Sequence, residues 1–160
     1  MPGNHDYGGR WDQPAIADAL GRRLNDCGIQ LLRNEIVDVH GLQLLGLDDL
    51  WANQFRIVVY DAGKPSIALS HNPDSADDPA WHGYRGWILS GHTHGGQCTT
   101  PFGFAPILPI KNRRYSAGAF DLSAGRHLYV NRGLGYVRKV RFNTRPEVTV
   151  FRMVAATAAV

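Results

Sequence analysis

Cysteine is scarce in this chain of 160 residues, which contains only Cys27 and Cys98. The two do not form a CxxC pair, so two free thiols are expected, and a single disulfide stays open as the alternative. No apolar run approaches the ~20 residues of a membrane span, and no stretch resembles a signal peptide. The cellular compartment and any membrane association are left unassigned.

Charge is also sparse, at 19% of residues, while 44% are hydrophobic, which is typical of a globular rather than a disordered chain. The net charge of +3 is concentrated in residues 132–141 and 111–114. Either stretch could attract phosphate-bearing ligands or could simply be solvated strand positions. Neither has interleaved aromatic residues, so nucleic acid is not an expected partner.

An amphipathic helix is predicted after the opening loop. Asp12 is a typical N-cap, Pro14 suits the first turn, and Gly28 can end the helix. The apolar residues that recur at helical spacing, and that predict one buried face, are Ile16, Ala19, Leu20, Leu24 and Cys27.

Strands are predicted along most of the remaining chain. Residues 29–49 indicate short strands around turns at 33–34 and 40–41. The apolar runs 67–69 and 87–89 suit interior strands covered on both faces, and the segment between them suits a short helix with loops. Such a crossover would make the two strands parallel neighbours ending at the same edge of a sheet.

The C-terminal part has a different pattern. "YSAGAFDL", "RHLYVNRG", "YVRKVRF" and "EVTVFRM" are short, β-prone and separated by turn residues, which predicts antiparallel strands. There is no internal repeat and no linker, so residues 1–153 are predicted to form one domain. Residues 154–160 are predicted to be a frayed tail.

Both interior strands are followed at once by histidine: His71 after the first, His92 and His94 after the second. Loops at the carboxyl ends of strands are where α/β sites form. In extended backbone, the two imidazoles of H-x-H would point the same way and could engage one ion or two close ions. Imidazole with carboxylate or amide oxygen suits Zn, Mn, Fe, Ni or Co.

Each of these signals has a structural alternative. His71 alone could be a hydrogen-bonded loop residue, and "GNHD" at 3–6 could be a turn before a helix. Cys98 could be a soft ligand but is expected to be a small buried residue. Three histidines lie outside these motifs and are expected to be surface or core residues: His40, His82 and His127.

Three motifs in this order, "GNHD", "SHNPD" and "GHTHGGQ", resemble the later motif set of the calcineurin-like metallophosphoesterases. "LYVNRGLG" and "RPEVTVFRM" resemble the C-terminal part of a bacterial phosphodiesterase subgroup. The resemblance covers residues 3 to about 153. It implies an α/β fold, a β-sandwich flanked by helices, with two divalent transition metal ions (Mn, Zn, Fe or Ni) at strand ends.

The resemblance also implies a role for each matching residue. Asn4, His71 and His92 align with ligands of one metal, and His94 with a ligand of the other. His5 aligns with a histidine near the leaving-group oxygen, and Asp6 with the carboxylate that orients it. Two such cations would screen phosphate charge and generate hydroxide, while protonated His5 would stabilise or protonate the departing alkoxide.

The family's first motifs, Asp-x-His and Gly-Asp-x-x-Asp, do not precede Gly3. The carboxylates at 48–49 resemble an ordinary loop of the subgroup and are not expected to replace them. Met1 is therefore expected to mark a shortened gene, a misplaced start codon or a cut, with the first strands and their helices lacking. One ion would then be held here, and exposed strand edges would favour homo-oligomers.

These observations predict a metal-dependent phosphoesterase that acts on small-molecule phosphodiesters in its complete form. The alternative is a non-catalytic fragment that binds metal or phosphate. Pocket walls are expected from the loops at 7–11 and 99–115, whose aromatic residues could equally be plain packing.

Overall fold

The computed structural model describes residues 1–136 and 138–154, and its strands form one six-stranded sheet in the order β1-β2-β3-β4-β6-β5. The strands are β1 Glu35–Val39, β2 Leu42–Gly46, β3 Ser66–Leu69, β4 Gly86–Ser90, β5 Gly118–Asp121 and β6 Arg126–Val130.

The sheet is mixed. The middle strands β2, β3, β4 and β6 are mutually parallel, and the outer strands β1 and β5 pair antiparallel to β2 and β6. The hairpin β1–β2 turns at His40 and Gly41, both with positive φ, as the sequence predicts. This sheet with its few helices confirms the α/β class. The resemblance implies a β-sandwich, and the described residues form one sheet of it.

The predicted helix is present as α1, Pro14–Asp26, and Gly28 follows its end with φ +76°. Gln13, not Asp12, is the N-cap, and it makes no side-chain capping bond. The predicted buried face is wrong in part, because only Ala17 is buried while Ile16 and Cys27 are exposed. Near its start α1 packs on a small cluster, and its other apolar side chains remain partly solvated.

Short 3-10 helices make up the remaining helical structure: Asn4–Tyr7, Pro73–Asp77, Pro79–Trp81 and His94–Gly96. Two of them lie in the crossover between β3 and β4, which are parallel as predicted. Among the described residues, no helix is both long and apolar enough to cross a bilayer.

The core lies on one face of the sheet. Leu45, Ala68, Ile88 and Leu128 form a continuous row across four strands and are fully buried. The opposite face carries the neighbouring row, in which Trp87 is 39% exposed and stacks on a half-buried His127. The prediction that both interior strands are covered on both faces is therefore wrong for β4.

The prediction of antiparallel strands in the C-terminal part is correct for two of the four segments. β5 and β6 pair antiparallel as predicted, but the described parts of "YVRKVRF" and "EVTVFRM" form no strand beyond a bridge between Cys98 and Phe142. β6 already pairs with β4 and β5, so it has no free edge for a further strand. The later segment is held to β6 by side chains instead. Of the predicted frayed tail, Val154 is exposed and 155–160 lie outside the described residues.

Candidate functional site

The carboxyl ends of the parallel strands meet at one edge of the sheet, and the predicted site residues follow them. β3 leads into His71, and β4 leads through Gly91 to His92. Asn4 comes from the opening 3-10 helix and is 1% exposed. The fold thus brings three distant chain segments to one place.

Asn4, His71 and His92 form one contiguous polar cluster. The Oδ1 atom of Asn4 lies 3.1 Å from Nε2 of His71, and Nδ1 of His92 lies 3.1 Å from the same nitrogen. On its other side, Nε2 of His92 lies 2.9 Å from the carbonyl oxygen of Pro109.

That last contact determines the tautomer of His92. A carbonyl oxygen only accepts, so Nε2 of His92 carries the proton and Nδ1 of the neutral ring presents a lone pair. His71 Nε2 then faces one lone pair on His92 and another on the Asn4 oxygen. A single N–H at Nε2 of His71 can donate a hydrogen bond to only one of these two acceptors. A shared cation would be coordinated by all three atoms.

Burial favours the neutral form of both imidazoles. Desolvation, reinforced by the neighbouring His92, lowers the pKa of His71 to about 3. Desolvation also lowers the pKa of His92, against the raising effect of its bond to Pro109. Both rings therefore offer lone pairs at neutral pH, which is the state that a metal ligand requires.

The spacing of the three atoms fits a transition metal ion. At Zn–N distances of about 2.0–2.1 Å, two adjacent ligands on one ion are about 2.8–3.0 Å apart in octahedral geometry and about 3.3–3.4 Å apart in tetrahedral geometry. The two 3.1 Å separations lie between these octahedral and tetrahedral values. The Nε2–H of His92 on a carbonyl is the usual second partner of a ligating histidine. Within residues 1–136 and 138–154, no three His, Cys, Asp or Glu side chains converge, so the cluster consists of two imidazoles and an amide.

His94 stands apart from this cluster. The prediction of extended backbone in H-x-H is wrong: His92 and His94 have φ of +65° and +52°, and Gly95 follows at +62°. Non-glycine residues in this region carry strain of about 1–3 kcal/mol, which is often found at functional sites. The Nδ1 atom of His94 is buried, with no partner among the described residues.

Arg141 fastens the loop that carries His94. Its guanidinium donates 3.3 Å to the carbonyl oxygen of His94 and 2.9 Å to that of Arg132, with further bonds to Gly133 and Gly135. Burial lowers the pKa of His94, and the charge of Arg141 lowers it further. Arg132 in turn pairs with Glu147 at 2.5 Å. Arg132 and Arg141, two cations of the basic stretch 132–141, therefore bind groups within the protein.

The structure does not place Asp6 against the His5 imidazole. Oδ2 of Asp6 accepts a hydrogen bond of 2.8 Å from the backbone N–H of Gly3 and so closes the turn that carries Asn4. His5 is exposed, with its ring edge-on to Trp11 at 6.1 Å between centroids.

Two tryptophans line one side of the site: Trp11, from the loop at 7–11 that was expected to form a pocket wall, and Trp51, which sequence reasoning did not assign to the site. Trp51 lies edge-on to His92 with ring centroids 4.5 Å apart, and Trp11 packs on Trp51 at 4.8 Å. Trp51 follows the carboxyl end of β2, at the same edge of the sheet as His71 and His92. Its position after a parallel strand was the available signal.

The carboxylates at 48–49 have structural partners, in line with the prediction of an ordinary loop. Asp48 accepts hydrogen bonds from Tyr7 and, at 2.9 Å, from Arg33. Oδ1 of Asp49 accepts from the backbone N–H groups of Trp51 and Ala52, both at 2.8 Å, and so shapes the turn carrying Trp51. Burial raises the pKa of Asp49.

A cavity of about 490 Å³ adjoins the cluster, shares His92 with it and is also lined by His94. Pro106, Ile107 and Pro109 of the 99–115 loop line it, as predicted, while Phe102 and Phe104 of that loop are exposed. Cys98 also lines it and is half-buried, and both cysteines are free thiols as expected. Outside the site, His40 and His82 are exposed.

Relatives with curated names match nearly the whole chain. It is 35% identical over 160 residues to "Phosphodiesterase YaeI" of Escherichia coli, a match covering 95% of this chain and 56% of the relative. It is 35% identical over 163 residues to "Uncharacterized metallophosphoesterase YkuE" of Bacillus subtilis, covering 94% and 54%. With "UDP-2,3-diacylglucosamine pyrophosphatase LpxG" of Chlamydia muridarum it shares 34% over 142 residues, covering 81% and 43%.

The chain spans about half the length of the curated relatives it matches. No family model and no solved structure matches it.

Proposed function

We propose that this chain, which belongs to the calcineurin-like metallophosphoesterase family, carries part of the metal site of a phosphodiester hydrolase. The observation that carries the proposal is the convergence of the Asn4 oxygen and two imidazole nitrogens at 3.1 Å spacings, with lone pairs of Asn4 and His92 facing the His71 nitrogen. These atoms would hold one divalent transition metal ion. Zn, Mn, Fe or Ni suits this donor set.

In the complete protein, a two-metal centre would include His94 as a ligand of the other ion. Bound ions of this kind screen phosphate charge and lower the pKa of water. His92 is oriented by Pro109, and the ring of Trp51 covers one side of His92. His5, exposed at the rim, would donate a proton to the departing alkoxide, and Asp6 would act by holding Gly3 and the turn.

The relatives' names support the proposed substrate class. A phosphodiesterase and a pyrophosphatase both cleave a P–O bond at a phosphorus that has two substituents, so a diester-like substrate is preferred over a monoester. The substrate would be a small molecule.

Metal titration tests the site without requiring turnover. Stoichiometric Mn²⁺ uptake by calorimetry should be lost in His71→Ala and retained in His82→Ala, because His82 is an exposed residue outside the cluster. Equal uptake by the two variants would contradict the assignment.

Hydrolysis of an aryl phosphodiester with Mn²⁺ tests the activity. Turnover should be abolished both by a chelator and by His92→Ala. Turnover that persists under either condition would argue against metal-dependent hydrolysis at this cluster.

A second candidate function is metal binding without catalysis. It is favoured by the donor set, since among the described residues no carboxylate joins the two imidazoles and the amide. Stoichiometric uptake by the wild type with no hydrolysis under any metal would identify this function.

A further inference from the structure

The cavity beside the histidine cluster has the chemistry of an apolar binding pocket. The residues lining it between the 92–98 loop, the 106–109 segment and the 138–140 segment are largely apolar: Gly96, Cys98, Pro106, Ile107, Pro109 and Val140. Its volume of about 490 Å³ lies within the range of pockets that accept small organic ligands.

The walls of this cavity are tied together. Nε2 of Gln97 donates to the carbonyl oxygens of Arg138 at 3.1 Å and Val140 at 2.9 Å, so one side chain joins two of the three lining segments. Gly96, with φ +77°, lies so close to the 105–107 loop that an added Cβ would be 2.4 Å from Cβ of Ala105. His92 is joined to the same loop through Pro109. The cavity is therefore built into the loops that carry the cluster.

The mouth of the cavity exposes apolar side chains. Ile107 is 82% exposed and Val140 is 52% exposed. Exposure of apolar side chains to water is unfavourable, so a ligand that covers them would gain free energy from their burial. Among the described residues that line the cavity, Arg138 and the two histidines have basic side chains, and none has a carboxylate. An anionic head group at the histidines with an uncharged apolar group in the cavity matches this distribution.

We infer that the cavity is a subsite for the uncharged, apolar organic group of a phosphate ester, either an alkyl chain or an unsubstituted ring, whose phosphate lies at His92 and His94. The inference rests on the proposed function for the position of the phosphate. A polar group such as a nucleoside would leave its hydrogen-bonding atoms unpaired against Ile107, Pro106 and Val140.

Binding of methyl, butyl and octyl phosphate to the Mn²⁺-loaded chain, measured by calorimetry, tests the subsite without turnover. Each fully buried methylene strengthens binding by about fourfold, so octyl phosphate should bind at least about a hundredfold more tightly than methyl phosphate. Equal affinities along the series would overturn the inference. If no phosphate binds at all but metal does, the subsite is overturned while the metal site of the proposed function stands.

Three substitutions locate the effect. Ile107→Asp and Val140→Asp should flatten the dependence on chain length, since both side chains are exposed and line the cavity. Val150→Asp introduces the same charge at an 89% exposed position that does not line it, and should leave the dependence unchanged. A dependence that survives in both cavity variants, or that is lost in Val150→Asp, contradicts this location.

The two thiols give a readout independent of metal and of activity. Cys98 lines the cavity and Cys27 is exposed at the end of α1. Octyl phosphate should slow alkylation of Cys98, followed by mass spectrometry, and leave that of Cys27 unchanged. Equal rates at Cys98 with and without octyl phosphate would place the alkyl group elsewhere.

Discussion

Gly3 lies directly against the ring of His71, and this contact shows how closely the site is packed at the residue scale. A Cβ at position 3 would lie 2.8 Å from three ring atoms of His71. The backbone there has φ −121° and ψ 175°, which any residue can adopt. The need for glycine is therefore caused by the imidazole, not by the backbone.

Gly3→Ala should lower Mn²⁺ affinity by about tenfold to a hundredfold, because His71 must move away from Asn4 and His92. The thermal midpoint should change little. Calorimetric titration and thermal melting by circular dichroism measure the two effects. Gly9→Ala is the matched control, since Gly9 has open space around its Cβ position. Wild-type affinity in Gly3→Ala would show that His71 is not a ligand.

At the scale of elements, parallel strands do more for the site than helices do. β3 and β4 deliver the two imidazoles of the cluster, and β2 delivers the turn carrying Trp51. The segment after β6 supports the loop of His94 through Arg132 and Arg141. Glu147 anchors the last described segment to this support, because it binds Arg132 and accepts from Tyr129 and Thr149.

Glu147 also makes stability depend on pH. Burial raises the pKa of this carboxyl, but hydrogen bonds from Tyr129, Thr149 and Arg132 outweigh burial and lower it to about 2, from an ordinary value of 4.5. The unfolded chain therefore binds the proton first as pH falls. The stabilisation is fully present above about pH 4.5 and is lost as pH falls towards 2.

Glu147→Gln should reduce the free energy of unfolding by about 1–3 kcal/mol at neutral pH, since it removes a charged hydrogen-bond acceptor. The difference from wild type should shrink as pH falls below about 4.5. Urea denaturation across this range measures it. Glu35→Gln serves as control, because Glu35 is an exposed residue of β1. A difference that does not vary with pH would show that the charge of Glu147 is not responsible.

At the scale of the whole molecule, the sheet is covered unevenly. One face carries the core, while Trp87 is 39% exposed on the other face. The sheet ends in β1 and β5, and β1 presents unpaired backbone groups on its outer side. Such edges favour pairing with another chain, which keeps homo-oligomer formation as a prediction.

Val39→Lys in β1 should weaken self-association, because a lysine on an edge strand opposes strand pairing. Val39 is 42% exposed, so the fold should tolerate the change. Sedimentation velocity over a range of concentrations measures the result. Val59→Lys, at a 98% exposed position outside the strands, controls for the added charge. If both variants associate like the wild type, β1 is not the interface.

Sequence reasoning predicted those parts of the fold that depend on local pattern. The apolar runs at 67–69 and 87–89 specified two strands, and a crossover too long for a hairpin made them parallel. From that, His71 and His92 had to reach the same edge of the sheet. The motif order supplied Asn4 as their companion, since no periodic pattern links position 4 to position 71.

The remaining features depend on contacts between segments far apart in sequence. "EVTVFRM" has strand propensity but cannot pair with β6, because β4 and β5 occupy both sides of that strand. Asp6 accepts a hydrogen bond from the backbone N–H of Gly3, in the turn that carries Asn4. The backbone is left-handed at His92 and His94, so the two imidazoles are not presented as in an extended H-x-H segment.

The sequence by itself determined the α/β class, the parallel pairing of β3 with β4 and the edge where the imidazoles gather, because periodicity and chain connectivity are local properties. Only the tertiary structure decided which imidazole pairs with Asn4, that Trp51 lies against His92, and that an apolar cavity opens beside them. Those features arise from packing between side chains brought together by the sheet, and no spacing along the chain encodes the distance between them.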